Sequence, residues 1–241
     1  MSLLRSEWIK LATTRTTWVM LGIGLLCEGL FAGLFVGLAS FADIGDVDEL
    51  ITGLGLLMTL MLVLGVLVIT TEFRHGTSSS TFLVAPRRWP VLVAKLGACL
   101  LVGLVAGLLF VLVNGGLALP LYSGRGGTLP PTGELVEVYA GVVVSFALLC
   151  AFGLGIGAII RNQVGAIIAV IAVFFVVSSL PELLPGSIGE YFPAQAVGSL
   201  HGRVEGDGTL TQLTGGLVLA GWSLLMCAVG TALVVKRDLS E

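Results

Sequence analysis

Glu28 is the one acidic residue at the centre of a long apolar stretch, midway along residues 17–39. Placing a carboxylate at the middle of a bilayer costs about 2.5–3.5 kcal/mol on insertion scales, which makes it a candidate functional group. It could be a polar point on a substrate or ion path, with Asn114 as a second candidate for that path. It could equally be a protonated or hydrogen-bonded Glu that packs one helix on another, and both interpretations stay open.

A polar and basic island at 72–94 separates two other apolar stretches. Glu72 and Arg74 end the first of these stretches, and Gly76 can act as a helix stop. The residues that follow can form a short helix before Pro86 ends it. This pattern predicts either a surface that docks another polypeptide or a solvated loop whose arginines only set the topology.

The chain lacks the residue patterns of a nucleotide-hydrolysing or metal-dependent enzyme. A phosphate loop needs Gly-Lys followed by Ser or Thr, whereas Lys10, Lys95 and Lys236 follow Ile, Ala and Val. His, Cys, Asp and Glu do not recur at metal-ligand spacing, and no hydrolytic triad can be assembled. We therefore predict a chain that is not an enzyme and that binds no cofactor itself.

The composition indicates an integral membrane protein. The 241 residues are 56% hydrophobic and 11% charged, whereas a soluble domain has about 25% charged residues. Six apolar stretches are near the length of about 20 residues that a bilayer requires. We predict an all-α fold with six transmembrane helices at 17–39, 50–71, 95–121, 136–160, 164–180 and 214–235, with a tight turn at 161–163.

Residues 1–16 are predicted to form an amphipathic helix in the membrane interface, with Leu4, Trp8 and Leu11 on its apolar face. The alternative is a basic tail that only sets the topology. Of the 12 basic residues, all but Arg125 and Arg203 fall on the same side of the six spans. The positive-inside rule places that side, and both termini, in the cytoplasm.

Two further patterns concern packing and the last outer connection. Glycines repeat every fourth residue at 29, 33 and 37, at 103 and 107, and at 153 and 157, which predicts close helix contacts within one subunit or between subunits. In the outer loop at 181–213, Pro193 is typical of the start of a short helix. That apolar segment is too short to span, so it is either interfacial or re-entrant.

The chain resembles the permease subunits of type-two ABC exporters. The similarity extends over its whole length: an amphipathic start, six helices, a basic loop after the second and a bulky loop before the sixth. Its most specific element is Glu-x-Arg-x-Gly-Thr. The segments that carry it are Ser6-Glu7-Trp8-Ile9-Lys10-Leu11, Glu72-Phe73-Arg74-His75-Gly76-Thr77, Ala85-Pro86-Arg87-Arg88 and Tyr191-Phe192-Pro193-Ala194-Gln195-Ala196.

This resemblance implies that the loop at 72–94 carries a coupling helix that sits in a groove of a cytoplasmic ABC ATPase, with the N-terminal helix touching the same partner. ATP and Mg would then be bound by that partner, and a second permease copy or paralogue would complete the path. The implied coupling residues are Glu7, Trp8, Glu72, Arg74, Gly76, Thr77, Ser78, Ser79, Ser80, Phe82 and Leu83. The run Ser78-Ser79-Ser80 departs from the larger or charged residues that relatives often have there.

The resulting expectation is a multi-pass permease of a bacterial inner (plasma) membrane, with residues 17–241 as its transmembrane domain. It would export a hydrophobic or amphipathic substrate (a drug, peptide or lipid) by alternating access, and would bind no nucleic acid. One alternative is a secondary carrier that uses Glu28 as a proton or cation site, and another is a non-transporting membrane anchor for a cytoplasmic complex. Against it, the spans show no inverted repeat and little intramembrane charge.

Overall fold

A computed structural model describes residues 3–38, 54–74, 88–124, 129, 131–176, 187–202 and 210–236, and these residues are almost entirely helical. The helices, in chain order, are α1 (Leu3–Thr13), α2 (Arg15–Leu38), α3 (Leu54–Arg74), α4 (Arg88–Gly124), α5 (Thr132–Ile160), α6 (Gln163–Ile171), α7 (Pro193–Leu200) and α8 (Gln212–Lys236). One π-helical turn, Ala172–Val176, continues α6, and a short 3-10 helix, Ser187–Tyr191, precedes α7.

Five of these helices, α2, α3, α4, α5 and α8, are long and apolar enough to cross a membrane. The fifth predicted span, 164–180, corresponds to the shorter apolar stretch Gln163–Val176. Its 14 residues rise about 21 Å, less than the roughly 30 Å of a hydrocarbon core, and 177–180 lie outside the described residues. The protein is therefore a helical membrane protein with five candidate spans among its described residues.

Helix α5 is the centre of the bundle, with α3, α4 and α8 packed around it. Its contact with α3 is a backbone contact. A Cβ atom on Gly153 would overlap the carbonyl oxygen of Leu62, and one on Gly65 would overlap the carbonyl oxygen of Cys150. Glycine at both positions is what allows the two helices to approach this closely.

The glycine repeats differ in what they contact. Gly103 and Gly107 face the backbone of α5 at Ala147 and Val143, and Gly157 approaches α3, so these glycines serve packing within the chain. On α2, Gly29 meets only the side chains of α4, and a Cβ on Gly33 would meet nothing within 4 Å. The interpretation as packing within one subunit thus accounts for the α4 and α5 repeats and leaves Gly33 without a close neighbour in the described chain.

Helix α4 begins seven residues earlier than the predicted third span. That span was expected to start at Lys95, whereas the helix begins at Arg88 and includes Trp89 and Pro90. Proline is compatible with a first helical turn because the N–H group that it lacks has no intrahelical partner there. The residues between α3 and α4 are thus 75–87, rather than the whole of 72–94, and they lie outside the described residues.

Helices α1 and α2 meet at a bend at Thr14. The indole nitrogen of Trp18 donates a hydrogen bond to the carbonyl oxygen of Ala12 at 2.6 Å, and the Thr14 hydroxyl donates to the carbonyl oxygen of Lys10. The Trp18 bond satisfies a carbonyl group that the end of α1 would otherwise leave open, and the carbonyl oxygen of Lys10 also accepts from the Thr14 N–H. The bend is therefore closed by local contacts, and α1 is a separate helix packed against α4.

The short connection between α5 and α6 agrees with the predicted tight turn. Helix α5 ends at Ile160, Arg161 adopts a left-handed conformation with φ 59°, and its N–H donates to the carbonyl oxygen of Gly157. The side chain of Asn162 then accepts a hydrogen bond from the N–H of Gly165 at 2.9 Å and caps α6. A carbonyl group at the end of α5 and an N–H group at the start of α6 are thus both hydrogen-bonded within this short turn.

The segment before α8 lies beside that helix and not across its end. The indole nitrogen of Trp222 donates to the carbonyl oxygen of Tyr191 at 2.8 Å, and the amide of Gln212 donates to the carbonyl oxygen of Leu200 at 2.9 Å. Trp222 lies ten residues into α8, or about 15 Å along its axis. Helix α7 therefore lies alongside the first half of α8.

Candidate functional site

Four charged side chains from three helices meet in one cluster, which we call the Glu7–Lys95 cluster. The ammonium nitrogen of Lys95 (α4) lies 2.6 Å from Oε2 of Glu7 (α1) and 2.6 Å from Oε1 of Glu72 (α3). The ammonium nitrogen of Lys10 (α1) lies 2.6 Å from Oε1 of Glu7 and 3.2 Å from Oε1 of Glu72. Two cations thus alternate with two anions, and each cation touches both.

Burial distinguishes the members of the Glu7–Lys95 cluster. The side chains of Lys95 and Glu7 are only 3% and 6% exposed, whereas that of Lys10 is 48% exposed. Burial alone would raise the pKa of Glu7, but the ammonium groups of Lys95 and Lys10 outweigh it and hold that pKa below its ordinary value. For Lys10, burial would lower the pKa, but the carboxylates of Glu7 and Glu72 raise it. Glu7 and Lys10 are therefore both charged at neutral pH.

A second set of contacts joins the end of α3 to the turn between α5 and α6. The guanidinium of Arg74 donates a hydrogen bond to the side-chain oxygen of Gln163 at 3.2 Å. The guanidinium carbon of Arg161 lies 5.4 Å from the ring centre of Phe73, a cation–π distance. The last turn of α3 is thus held on one side by α1 and α4 and on the other by the α5–α6 turn.

The ion pairs of the cluster join the helices on either side of 75–87. Glu72 lies two residues before the end of α3, and Lys95 lies in the second turn of α4, so the ion pairs bridge the two helices that flank 75–87. Breaking a buried ion pair by removing one partner costs about 3–5 kcal/mol, which makes such a link stiff. The cluster therefore links α1, α3 and α4 at this end of the bundle.

The structure describes four of the residues proposed for coupling, and three of them lie at or beside the cluster. Glu7 and Glu72 are members of the cluster, and Arg74 contacts the α5–α6 turn. Trp8 is half-buried and packs beside the apolar residues under α1. The others, Gly76, Thr77, Ser78, Ser79, Ser80, Phe82 and Leu83, lie outside the described residues.

Sequence reasoning did not identify Lys95 and Lys10 as site residues and assigned them only to the topology. At the first residue of a span, where Lys95 was expected, a lysine is ordinary. The signal that could have identified it is the helix start at Trp89-Pro90, which moves Lys95 almost two turns into an apolar helix. A lysine at such a position requires a carboxylate partner. Four acids, Glu7, Glu72, Asp238 and Glu241, fall on that side of the predicted spans.

A cleft of about 550 Å³ opens next to the cluster, and we call it the α1–α3 cleft. Its volume is in the range of small-molecule sites. Its lining combines charged groups and threonine hydroxyls with aliphatic side chains. The lining residues are Glu7, Lys10, Leu11, Thr14, Thr16, Thr17, Met20, Leu64, Leu67, Val68, Thr71, Glu72, Lys95 and Gln163.

The two candidate path residues predicted from sequence, Glu28 and Asn114, are in direct contact. The side-chain amide of Asn114 (α4) donates to Oε1 of Glu28 (α2) at 2.8 Å, and the hydroxyl of Tyr139 (α5) donates to the Asn114 side-chain oxygen at 2.8 Å. Glu28 is 1% exposed, and its Oε2 has no hydrogen-bond partner among the described residues. Tyr139, which sequence reasoning missed, extends this polar chain across three helices.

Comparisons with family models and with curated proteins found no match for this chain.

Proposed function

We propose that this chain is the permease subunit of an ATP-driven exporter of the ABC type. In this proposal, six helices span the membrane, both termini and 75–87 face the cytoplasm, and a separate ABC ATPase binds ATP and Mg. Two permease copies or paralogues form the path. The cargo is a hydrophobic or amphipathic substrate that leaves the cytoplasm by alternating access, and the setting is a bacterial inner membrane.

The observation that carries the proposal is the Glu7–Lys95 cluster. It ties the N-terminal helix to both helices that flank 75–87, and these are the segments of the chain whose sequence resembles ATPase-contacting segments. A partner that pulled on 75–87 would move α1, α3 and α4 as one body. Alternating access requires that each nucleotide state of the partner bind one permease conformation preferentially, and a stiff link is what transmits that preference.

Glu72→Ala is expected to uncouple ATP hydrolysis from transport. The substitution removes a carboxylate that accepts from both Lys10 and Lys95, so α3 would no longer move with α1 and α4. With the partner ATPase reconstituted in liposomes, we expect transport per ATP hydrolysed to fall by about tenfold or more, which corresponds to about 1.4 kcal/mol of lost coupling.

Glu134→Ala is the matched control, because Glu134 is an exposed acid in the first turn of α5. It should leave the coupling ratio unchanged. Glu72→Ala also breaks ion pairs and should lower stability, so transport per ATP is compared on inserted, purified chain. Normal coupled turnover in Glu72→Ala would contradict the proposed role of the cluster. If the parent chain binds an ATPase but transports no substrate, it would instead be a membrane anchor.

A specific observation also favours a second candidate function, a secondary carrier. Glu28 presents a buried oxygen without a partner in the described chain, at the end of the polar chain through Asn114 and Tyr139. Intramembrane carboxylates of this kind occur on proton and cation paths. The same geometry also fits a structural role, because the hydrogen bonds join α2, α4 and α5.

Glu28→Gln separates these roles. Glutamine keeps an oxygen that can accept from Asn114 but cannot bind a proton or a cation as a carboxylate does. If Glu28 lies on the path, we expect transport to fall by about tenfold or more with assembly intact. Tyr139→Phe is the second variant of this test, because it removes only the hydroxyl that donates to Asn114 and leaves Glu28 in place. Transport driven by an ion gradient without ATP would favour the carrier, and unchanged flux in Glu28→Gln would remove Glu28 from the path.

A further inference from the structure

The α1–α3 cleft has the chemistry of an amphiphile site. The proposed function uses the cluster that lines it but assigns no ligand to the cleft. Its charged side is formed by the Glu7–Lys95 cluster together with the hydroxyls of Thr14 and Thr17. Its aliphatic side is formed by Leu64, Leu67 and Val68 of α3, which lie about one to two helical turns from Glu72. A ligand that fills both sides needs a polar head and an apolar body.

The cleft lies at the level where lipid headgroups are expected. Trp18, next to the bend between α1 and α2, and Trp89, in the first turn of α4, are 54% and 55% exposed. Exposed tryptophans at the ends of apolar helices are typical of the membrane–water interface. Both lie at the same end of the bundle as Lys10 and Lys95, so the charged side of the cleft is at headgroup depth and the aliphatic side is at acyl-chain depth.

The balance of charge in the cleft favours a ligand that carries both signs. Two carboxylates and two ammonium groups are present, and Glu7 and Lys95 are almost fully buried. A net anion or cation would add an uncompensated charge beside buried ions, which is costly at low dielectric. A zwitterion adds one charge of each sign. Lys10 makes two hydrogen bonds and has a third N–H donor for a phosphate, while carboxylate oxygens can accept further bonds from an ammonium.

We propose that the α1–α3 cleft binds one zwitterionic phospholipid, with the phosphate at Lys10, the ammonium at the carboxylates of Glu7 and Glu72, and the upper acyl chains along Leu64, Leu67 and Val68. The volume of about 550 Å³ accommodates a headgroup and the first acyl carbons, and the remaining chain would extend into the bilayer. Such a lipid would brace α1 against α3. The inference concerns binding alone and stands apart from any ATPase.

The test is native mass spectrometry of the full-length chain in detergent, titrated with dioleoyl phosphatidylethanolamine or dioleoyl phosphatidylglycerol. We expect one phosphatidylethanolamine per chain, bound about tenfold more tightly than phosphatidylglycerol. Val68→Trp should abolish this binding because the indole fills the aliphatic side of the cleft. Val229→Trp is the matched control on an exposed face of α8 and should bind like the parent chain.

Lys10→Gln provides an independent check that does not depend on filling the cleft. It removes the half-exposed ammonium and should weaken phosphatidylethanolamine binding by about tenfold, a loss of one charge-assisted contact. Equal binding of the two lipids, or a preference for the anionic one, would overturn the proposal. So would phosphatidylethanolamine binding that neither Val68→Trp nor Lys10→Gln reduces.

Discussion

Lys95→Met is expected to destabilise the protein by about 3–5 kcal/mol, because it leaves two carboxylates without their most buried cation. Lys95 is 3% exposed in its side chain and contacts both Glu7 and Glu72 at 2.6 Å. Methionine fills a similar volume, so the loss of packing is small and the loss of charge dominates. Lys10 still compensates some of the charge, which places the expected effect at the lower end of this range.

Thermal unfolding in detergent measures this effect, and Lys236→Met is the matched control. Lys236 is the exposed last residue of α8, so its replacement should leave the midpoint within about 1–2 °C of the parent chain. For Lys95→Met we expect a drop of about 6–12 °C, since 1 kcal/mol shifts a chain of this size by about 2–4 °C.

A double variant separates the charge from the packing. Replacing a buried ion pair by neutral groups is often nearly neutral, whereas removing one partner is not. We therefore expect Glu7→Gln combined with Lys95→Met to be more stable than Lys95→Met alone. A midpoint for Lys95→Met that matches Lys236→Met, or a double variant that is simply the sum of two losses, would show that the cluster is not an energetic unit.

The predicted spans are recovered where hydropathy is the deciding factor. Helices α2, α3, α4, α5 and α8 each contain an apolar stretch of at least the roughly 20 residues that are needed to cross a bilayer. No tertiary contact is needed to identify them. The stretch 164–180 passes the same sequence criterion, but its helix gives way to a π turn at Ala172. Hydropathy reports the apolar character of this stretch and not whether its backbone continues as one straight helix.

The candidate site was only partly predictable, because its geometry depends on which helix ends meet. Glu72 and Arg74 were identified from their position beside a polar loop, and Glu7 from a resemblance. The more buried partner of Glu7, Lys95, is 88 residues away in the sequence, and spacing along the chain carries no information about such a contact. Lys95 can be assigned to the site only after α1, α3 and α4 are placed against one another.

The contact between Glu28 and Asn114 was likewise not predictable from the sequence, although both residues were. Each residue is identifiable from sequence as a polar group within an apolar stretch. They are 86 residues apart in the sequence. Their contact, and the hydrogen bond that Tyr139 adds to it, follow from the packing of α2 and α5 on α4. A tyrosine near the start of an apolar helix is typical of an interface anchor, so its hydrogen bond to Asn114 gives no sequence signal.

Gly153→Ala is expected to destabilise the bundle by about 1–3 kcal/mol, the usual cost of overpacking. The added Cβ would overlap the carbonyl oxygen of Leu62, which is backbone and cannot rotate away, so α3 and α5 would have to separate. Gly65→Ala, on the opposing face, should have a similar effect through the carbonyl oxygen of Cys150. The corresponding drop in the unfolding midpoint is about 2–12 °C.

The two substitutions should not be additive, because a single displacement of the helices accommodates both new methyl groups. We therefore expect the double variant Gly65→Ala with Gly153→Ala to lose less stability than the sum of the two single variants. Gly221→Ala is the matched control within α8, since a Cβ there meets nothing within 4 Å and should cause no loss. A midpoint for Gly153→Ala that equals that of Gly221→Ala would contradict the backbone contact between α3 and α5, because a methyl group cannot enter that contact without moving one of the helices.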